Sequence, residues 1–209
     1  MKHRWQLGQL LNAMGLDGDG AEIGVHKGEF ALQILRRWRG RRLWLIDPWS
    51  RQDDYRDGCN ASDRVMQRRY ENAQDRLRSY APRTTFLRQR SDEAAQAFAP
   101  ASLDFVYIDA NHGYGHVRRD LLVWYERVRP GGVIAGHDYF NALTNDAFQP
   151  VTFGTFDAAL LKSYGVKAAV DEFAMRERLA INATAERWPT WYAVKPARRA
   201  RISHRKADR

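Results

Sequence analysis

The ten residues AEIGVHKGEF, Ala21–Phe30, decide how this chain folds. Glu22 closes a short apolar run. Gly24 and Gly28 follow in the spacing Glu-x-Gly-x-x-x-Gly, and Phe30, Ile34, Leu35 and Trp38 then recur at helical intervals. The stretch reads as strand, glycine turn and helix. A turn without a Cβ lets a ligand approach the backbone, and the free N–H groups at the helix start favour a negative group. Nineteen residues past Gly28 a second strand, LWLID, ends in Asp47. An acid at that distance in a βαβ unit is the usual partner of a ribose diol. The segment therefore predicts a nucleoside-type site around Glu22, Gly24, Lys27, Gly28 and Asp47.

Outward from this turn, strand and helix patterns alternate nearly to the end, which argues α/β architecture with a mainly parallel sheet. The expected elements are a helix from Trp5 to Met14 and strands at Ala21–Val25, Leu43–Ile46, Thr84–Leu87, Leu103–Ile108 and Val133–Ala135. Ser62 is expected to cap a helix reaching about Tyr80, and Ser91 to cap a short helix through Phe98. Val117, Leu121, Trp124 and Val128 mark a further helix, which Pro130, Gly131 and Gly132 end by turning the chain. Helices at Phe156–Tyr164 and Val166–Arg176 and strands at Leu179–Ala183 and Thr190–Val194 complete the list. Residues 51–61 and 139–154 read as loops and as candidate lids. The expectation is one domain over residues 1–196 and a basic, disordered tail over 197–209.

Composition narrows the partners. The chain has 209 residues, 44% of them hydrophobic, enough for one full core. A single cysteine, Cys59, excludes an internal disulfide and a cysteine zinc cluster and suits a cytoplasmic setting. No leader and no membrane span are read from the sequence. The net charge is +9, from 34 Lys+Arg against 25 Asp+Glu, with much of the excess in Arg36–Arg42 and in the tail. Such a balance admits an anionic partner, although a basic surface without a specific partner accounts for it better, and nucleic acid is not the expected ligand. Oligomeric state, homo-oligomers included, is left open.

The chemistry-bearing residues lie at two more strand ends. The fourth strand runs into YIDANHGY, with Asp109 and His112; the fifth runs into AGHDY, with His137 and Asp138. In an open α/β sheet both ends adjoin the glycine turn, so these groups and Glu22 face one crevice, with His26 and His116 nearby. Two roles follow. Asp109, His137 and Asp138 could hold a hard divalent cation such as Mg²⁺, which would lower the pKa of a bound hydroxyl. Alternatively His112 could act as a general base. Asp109, His112 and Asp138 are the candidate catalytic residues.

The glycine pattern lacks the middle glycine that a dinucleotide pyrophosphate needs. It resembles motif I of the class I S-adenosylmethionine-dependent methyltransferases. The run from Asp104 to Tyr139, together with GVKAAVDEF at Gly165 and WPTWYAVKP at Trp188, is similar to bacterial small-molecule and sugar O-methyltransferases of the macrocin type. The resemblance implies a Rossmann-like fold with a seven-stranded, mostly parallel sheet, helices on both faces and an antiparallel last strand at one edge. It implies S-adenosylmethionine as cofactor, a small-molecule hydroxyl as acceptor, and magnesium on Asp109 and Asp138, with His137 replacing the second carboxylate of the family's pair. Asp47, Pro48 and Trp49 fall on the ribose side, Ser91 and Asp92 on the adenine side, and Asp109 between cofactor and acceptor. The rivals are a nucleic-acid methyltransferase and a non-catalytic protein that retains the cofactor fold.

Overall fold

A computed structural model of the chain describes residues 1–53, 55, 58–140 and 164–197. Its centre is a seven-stranded sheet in the order β3-β2-β1-β4-β5-β7-β6. The strands are β1 (Asp19–Ile23), β2 (Arg42–Ile46), β3 (Thr84–Leu87), β4 (Leu103–Ile108), β5 (Val128–Gly136), β6 (Asn182–Ala183) and β7 (Trp191–Val194). β1 to β5 pair in parallel, while β7 runs antiparallel to both β5 and β6. The antiparallel strand is thus present, but it lies inside the sheet and the two-residue β6 takes the edge.

The strands are apolar because both faces are covered. All six residues of β4 are buried. Phe105 and Tyr107 point into a cluster with Leu43, Leu45, Phe30, Ile34 and Trp38. Val106 and Ile108 point the other way, into a cluster with Ala21, Ile23, Leu121, Trp124 and Phe173. On the first face lie α1 (Leu7–Ala13), α2 (Glu29–Arg37) and α3 (Asp63–Leu77). On the second lie the short α4 (Ser91–Ala94), α5 (Tyr114–Arg127) and α6 (Val166–Glu177). A 3₁₀ turn, Arg4–Gln6, precedes α1.

Several boundaries differ from the sequence reading, each for a local reason. β1 ends at Ile23, because the chain turns at Gly24 with φ +88° and Val25 drops into the core. Pro130–Gly132 do not turn the chain out of the sheet; they lie within β5, opposite a register shift between Leu103 and Phe105. α3 gives way after Leu77 to a 3₁₀ stretch containing Pro82, whose missing N–H cannot continue an α-helix. Ser62 holds the N-cap position of α3 but its side chain makes no capping bond, and Ser91 begins α4 after the N-cap residue Arg90. The helix read up to Tyr164, most of loop 139–154 and most of the basic tail lie outside the described residues.

Candidate functional site

Both glycines of the opening motif meet neighbouring parts of the protein, and Gly24 also borders the cavity described below. A Cβ on Gly24 would lie 1.9 Å from the carbonyl oxygen of Asp109, so the ends of β1 and β4 meet there with no space for a side chain. Gly28, at φ +72°, is the N-cap of α2, and a Cβ there would lie 3.3 Å from Ala73 and 3.2 Å from Leu77 of α3. Lys27 offers its carbonyl to the Arg76 guanidinium and does not face the cleft.

Asp47, at the end of β2, ties two loops together. Its Oδ2 accepts from the His26 N–H at 2.9 Å and its Oδ1 from the Trp49 N–H at 2.7 Å. Burial raises its pKa, and these backbone donors, with Val25 N–H, partly offset that rise. Trp49, expected beside a ribose, is a core residue: it is 1% exposed, packs on Tyr70 and Phe86, and donates its indole N–H to the His26 carbonyl.

A cavity of about 270 Å³ opens over the carboxyl ends of β1 to β4. Gly24, His26, Asp47 and Pro48 line one side, Ser91, Asp92, His116 and Asp120 another, and Asp109 and His112 a third; Tyr55, Cys59 and Asn60 come from the loop after β2. Glu22 lies behind this wall. It is 1% exposed, its Oε2 has no hydrogen-bond partner among the described residues, and its pKa is well above the usual carboxylate range. Burial is the main cause, Asp109 and Asp47 add to it, and Arg4 opposes it. The acid of the motif therefore does not face a cationic ligand directly. His26 Nε2 is likewise buried and has no hydrogen-bond partner among the described residues, and burial with Arg69 and Lys27 lowers its pKa.

The sequence reading missed Asp120. It projects from α5 into the cavity wall, 6% exposed, where burial lifts its pKa to about 7. The Ser91 hydroxyl donates to its Oδ1 at 2.5 Å and itself accepts from the Trp124 indole N–H at 2.8 Å. Its signal was available: Val117, Leu121 and Trp124 mark the buried face of α5, and Asp120 is a charge on that face.

The strand-four and strand-five groups do converge. His112 Nε2 lies 3.1 Å from Asp138 Oδ2 and 3.6 Å from Asp109 Oδ1, and Nδ1 lies 3.4 Å from the Tyr55 hydroxyl. His137 Nδ1 is 3.0 Å from Asp138 Oδ1 and 3.7 Å from Asp109 Oδ2. Asp138 reaches this position from a left-handed backbone, φ +57°. A second residue absent from the sequence reading, Arg4, brings its guanidinium 3.7 Å from Asp109 Oδ2 while resting on the Phe30 ring. Burial pushes the Asp109 carboxyl up, but the hydrogen bond from His112 and the charges of His137, His112 and Arg4 outweigh it and hold the pKa below the usual value. One ligand atom from each of Asp109, His137 and Asp138 lies within 4.8 Å of the others, so the donor set fits a single cation. His137 and Asp138 do not line the nucleoside-sized cavity; they stand beyond its Asp109–His112 end.

With this geometry in place, the sequence model of the family described as "Methyltransferase domain" matches residues 21–139, more than half of the chain. The fold is shared with solved structures of low identity. An O-methyltransferase from Bacillus cereus in complex with S-adenosylhomocysteine is 15% identical with a TM-score of 0.63, over 92% of this chain and 80% of that one. The O-methyltransferase TomG from Streptomyces achromogenes, involved in tomaymycin synthesis and bound to S-adenosylmethionine, is 17% identical with a TM-score of 0.61, over 92% and 79%. A protein from Corynebacterium glutamicum is 18% identical with a TM-score of 0.60, over 93% and 82%. No curated protein sequence matches the chain significantly.

Proposed function

The chain belongs to the methyltransferase-domain family, and from that premise we propose that it transfers a methyl group from S-adenosylmethionine to a hydroxyl of a small molecule, a sugar or similar polyol. One observation carries the reading: the cavity that begins at Asp47 ends on Asp109 and His112, and these two touch the His137–Asp138 pair. The ribose hydroxyls donate to Asp47, whose oxygens retain lone pairs beyond their backbone bonds. The base lies toward Ser91, Asp92 and Asp120, which leaves the sulfonium methyl at the Asp109 end.

The acceptor oxygen attacks the methyl carbon in line; the carbon–sulfur bond breaks and sulfur leaves as a neutral thioether. Holding the two reactants in this alignment supplies much of the acceleration. The hydroxyl proton goes to His112. Nε2 is turned toward Asp138 and Asp109, so the proton goes to Nδ1, and the acceptor takes the place that Tyr55 occupies beside it. Asp109, His137 and Asp138 would hold a divalent cation. Such a cation, when bound, polarises the acceptor hydroxyl; a set of one imidazole and two carboxylates admits manganese as well as magnesium.

Calorimetry with S-adenosylhomocysteine, followed by mass spectrometry of hydroxyl compounds incubated with S-adenosylmethionine, tests the proposal. The expected result is binding of the nucleoside and a product one CH₂ heavier. A protein that binds NAD and ignores both sulfur nucleosides would refute it.

A further inference from the structure

We propose that Tyr139, its hydroxyl fixed by Lys167 and Asp171 of α6, is the positioning residue that sets the Asp138 carboxylate against His112 and His137. This rests on the site reading above and extends it to residues that do not line the cavity.

Asp138 needs holding. It carries a Cβ in the left-handed region, at φ +57°, a conformation that persists where the surroundings over-determine it. From there its carboxylate reaches His112 Nε2 with one oxygen and His137 Nδ1 with the other, at 3.1 and 3.0 Å. On its N-terminal side the sheet fixes the backbone: the His137 N–H donates to the Ile108 carbonyl at 3.1 Å. On its C-terminal side the anchor is Tyr139, whose N–H donates to the Pro189 carbonyl at 3.0 Å and which is 8% exposed.

The Tyr139 hydroxyl belongs to a closed ring of hydrogen bonds with Lys167 and Asp171. Lys167 is 5% exposed, and a lysine so deep in a protein is almost always paired. Its Nζ donates to Asp171 Oδ2 at 2.6 Å, one turn along α6, and to Tyr139 Oη at 3.2 Å. An ammonium has no acceptor capacity, so the tyrosine oxygen accepts from it and the hydroxyl hydrogen goes to Asp171 Oδ1. The hydroxyl therefore has one direction. The same helix also grips the other side of the His112–Asp138 contact, because Gly165, its N-cap, donates its N–H to the His112 carbonyl at 2.8 Å. Lys167 and Asp171 lie in the stretch GVKAAVDEF and Pro189 in WPTWYAVKP. Neither stretch lines the cavity, yet both close on the residue that follows Asp138.

Tyr139→Phe keeps the ring and removes only the hydroxyl, and Lys167 and Asp171 still pair with each other, so the variant is expected to fold. In a crystal structure of the full chain it should show Asp138 out of the left-handed region, or its carboxylate out of reach of His112. In calorimetry with Mn²⁺ alone it should bind about tenfold more weakly than wild type, the lower end of the range for groups that orient metal ligands, while S-adenosylhomocysteine affinity stays within about twofold. Asp171→Asn, which still offers an oxygen to the hydroxyl, should bind Mn²⁺ better than Asp171→Ala; equal affinities would count against the assignment. An Asp138 unmoved in the Tyr139→Phe crystal overturns the inference whatever the ion does. So does a Tyr139→Phe protein in which Mn²⁺ and S-adenosylhomocysteine affinities fall together, since loosened packing alone produces that. Wild-type protein that binds S-adenosylhomocysteine but no Mn²⁺ refutes the cation of the proposed function, and the crystal structures then decide the role of Tyr139 by themselves.

Discussion

The two ends of the cleft are built on different principles. At the nucleoside end each carboxylate leans on donors that do not titrate near neutral pH: Asp47 on the His26 and Trp49 N–H groups, Asp120 on the Ser91 hydroxyl. At the reacting end Asp109 and Asp138 face His112, His137 and Arg4, which are titratable rings and a long, jointed side chain. The first end is set once the backbone has folded. The second is held by ring and guanidinium side chains set against two carboxylates, the arrangement that the proposed proton transfer would use.

The strongest blow to this contrast falls on the reacting end. Asp138→Ala is expected to lower kcat by roughly 10²–10⁴-fold, the range for lost acid–base chemistry, while S-adenosylhomocysteine affinity stays within about twofold, because Asp138 stands beyond the cavity. Steady-state kinetics beside calorimetry checks it; a parallel loss of affinity would merge the two ends into one site.

The next effect has opposite signs at the two ends. The folded pKa of Asp120 is raised to about 7, so between about pH 4 and 7 the folded chain holds a proton that the unfolded chain has released, and stability falls as pH rises through that window. Asp120→Asn removes this decline, at most about 4 kcal/mol at one pKa unit per 1.4 kcal/mol. Denaturant titrations of both proteins at pH 5 and 8 should show the variant gaining on wild type as pH rises. Asp109 is held below its usual value, so its contribution is present above the unfolded pKa and is lost as pH falls through the folded one.

Smaller effects are expected where the ends join. Gly24→Ala forces a methyl against the Asp109 carbonyl at a positive φ, and should cost about 3 kcal/mol by the overpacking scale. Since the clash falls on Asp109, turnover should fall more than the melting temperature implies. Gly28→Ala meets the Leu77 side chain at 3.2 Å and Ala73, backbone Cα included, at 3.3 Å, at a positive φ, and should cost about 1 kcal/mol with cofactor affinity retained. Equal effects from the two would mean that the turn acts as one unit.

The contrast also explains what was legible in the sequence. Strands such as LDFVYI announce themselves because burial on both faces demands apolar residues throughout. Asp47, Asp109, His112, His137 and Asp138 were legible because parallel strands deliver their C-terminal residues to one edge. Gly24 does line the cavity, but Gly28 and Trp49 were given to a ligand because local spacing does not tell a ligand from a neighbouring helix: Gly28 meets α3, and Trp49 meets Tyr70 and Phe86. Asp120 was overlooked because a single acid in a helix resembles a solvated position until the burial of its neighbours is weighed. Arg4 comes from the 3₁₀ turn before α1, over a hundred residues from its partner Asp109, and no short-range pattern links the two.

One feature of the sheet sets a timetable. Among the described residues β6 pairs only with β7, and β7 wedges between β6 and β5, where Trp191 pairs with Gly136. Just before it, Thr190 Oγ1 meets the Tyr107 hydroxyl and the Pro189 carbonyl accepts the Tyr139 N–H, next to Asp138. A ribosome delivers residues 189–194 long after β1 to β5 have emerged. The nucleoside end can therefore take shape while the chain is still being made, whereas the reacting end waits for this late strand to slot in. Contacts so distant along the chain are slow to form, and a nascent chain stalled before Trp191 would carry a cofactor pocket without a finished workshop beside it.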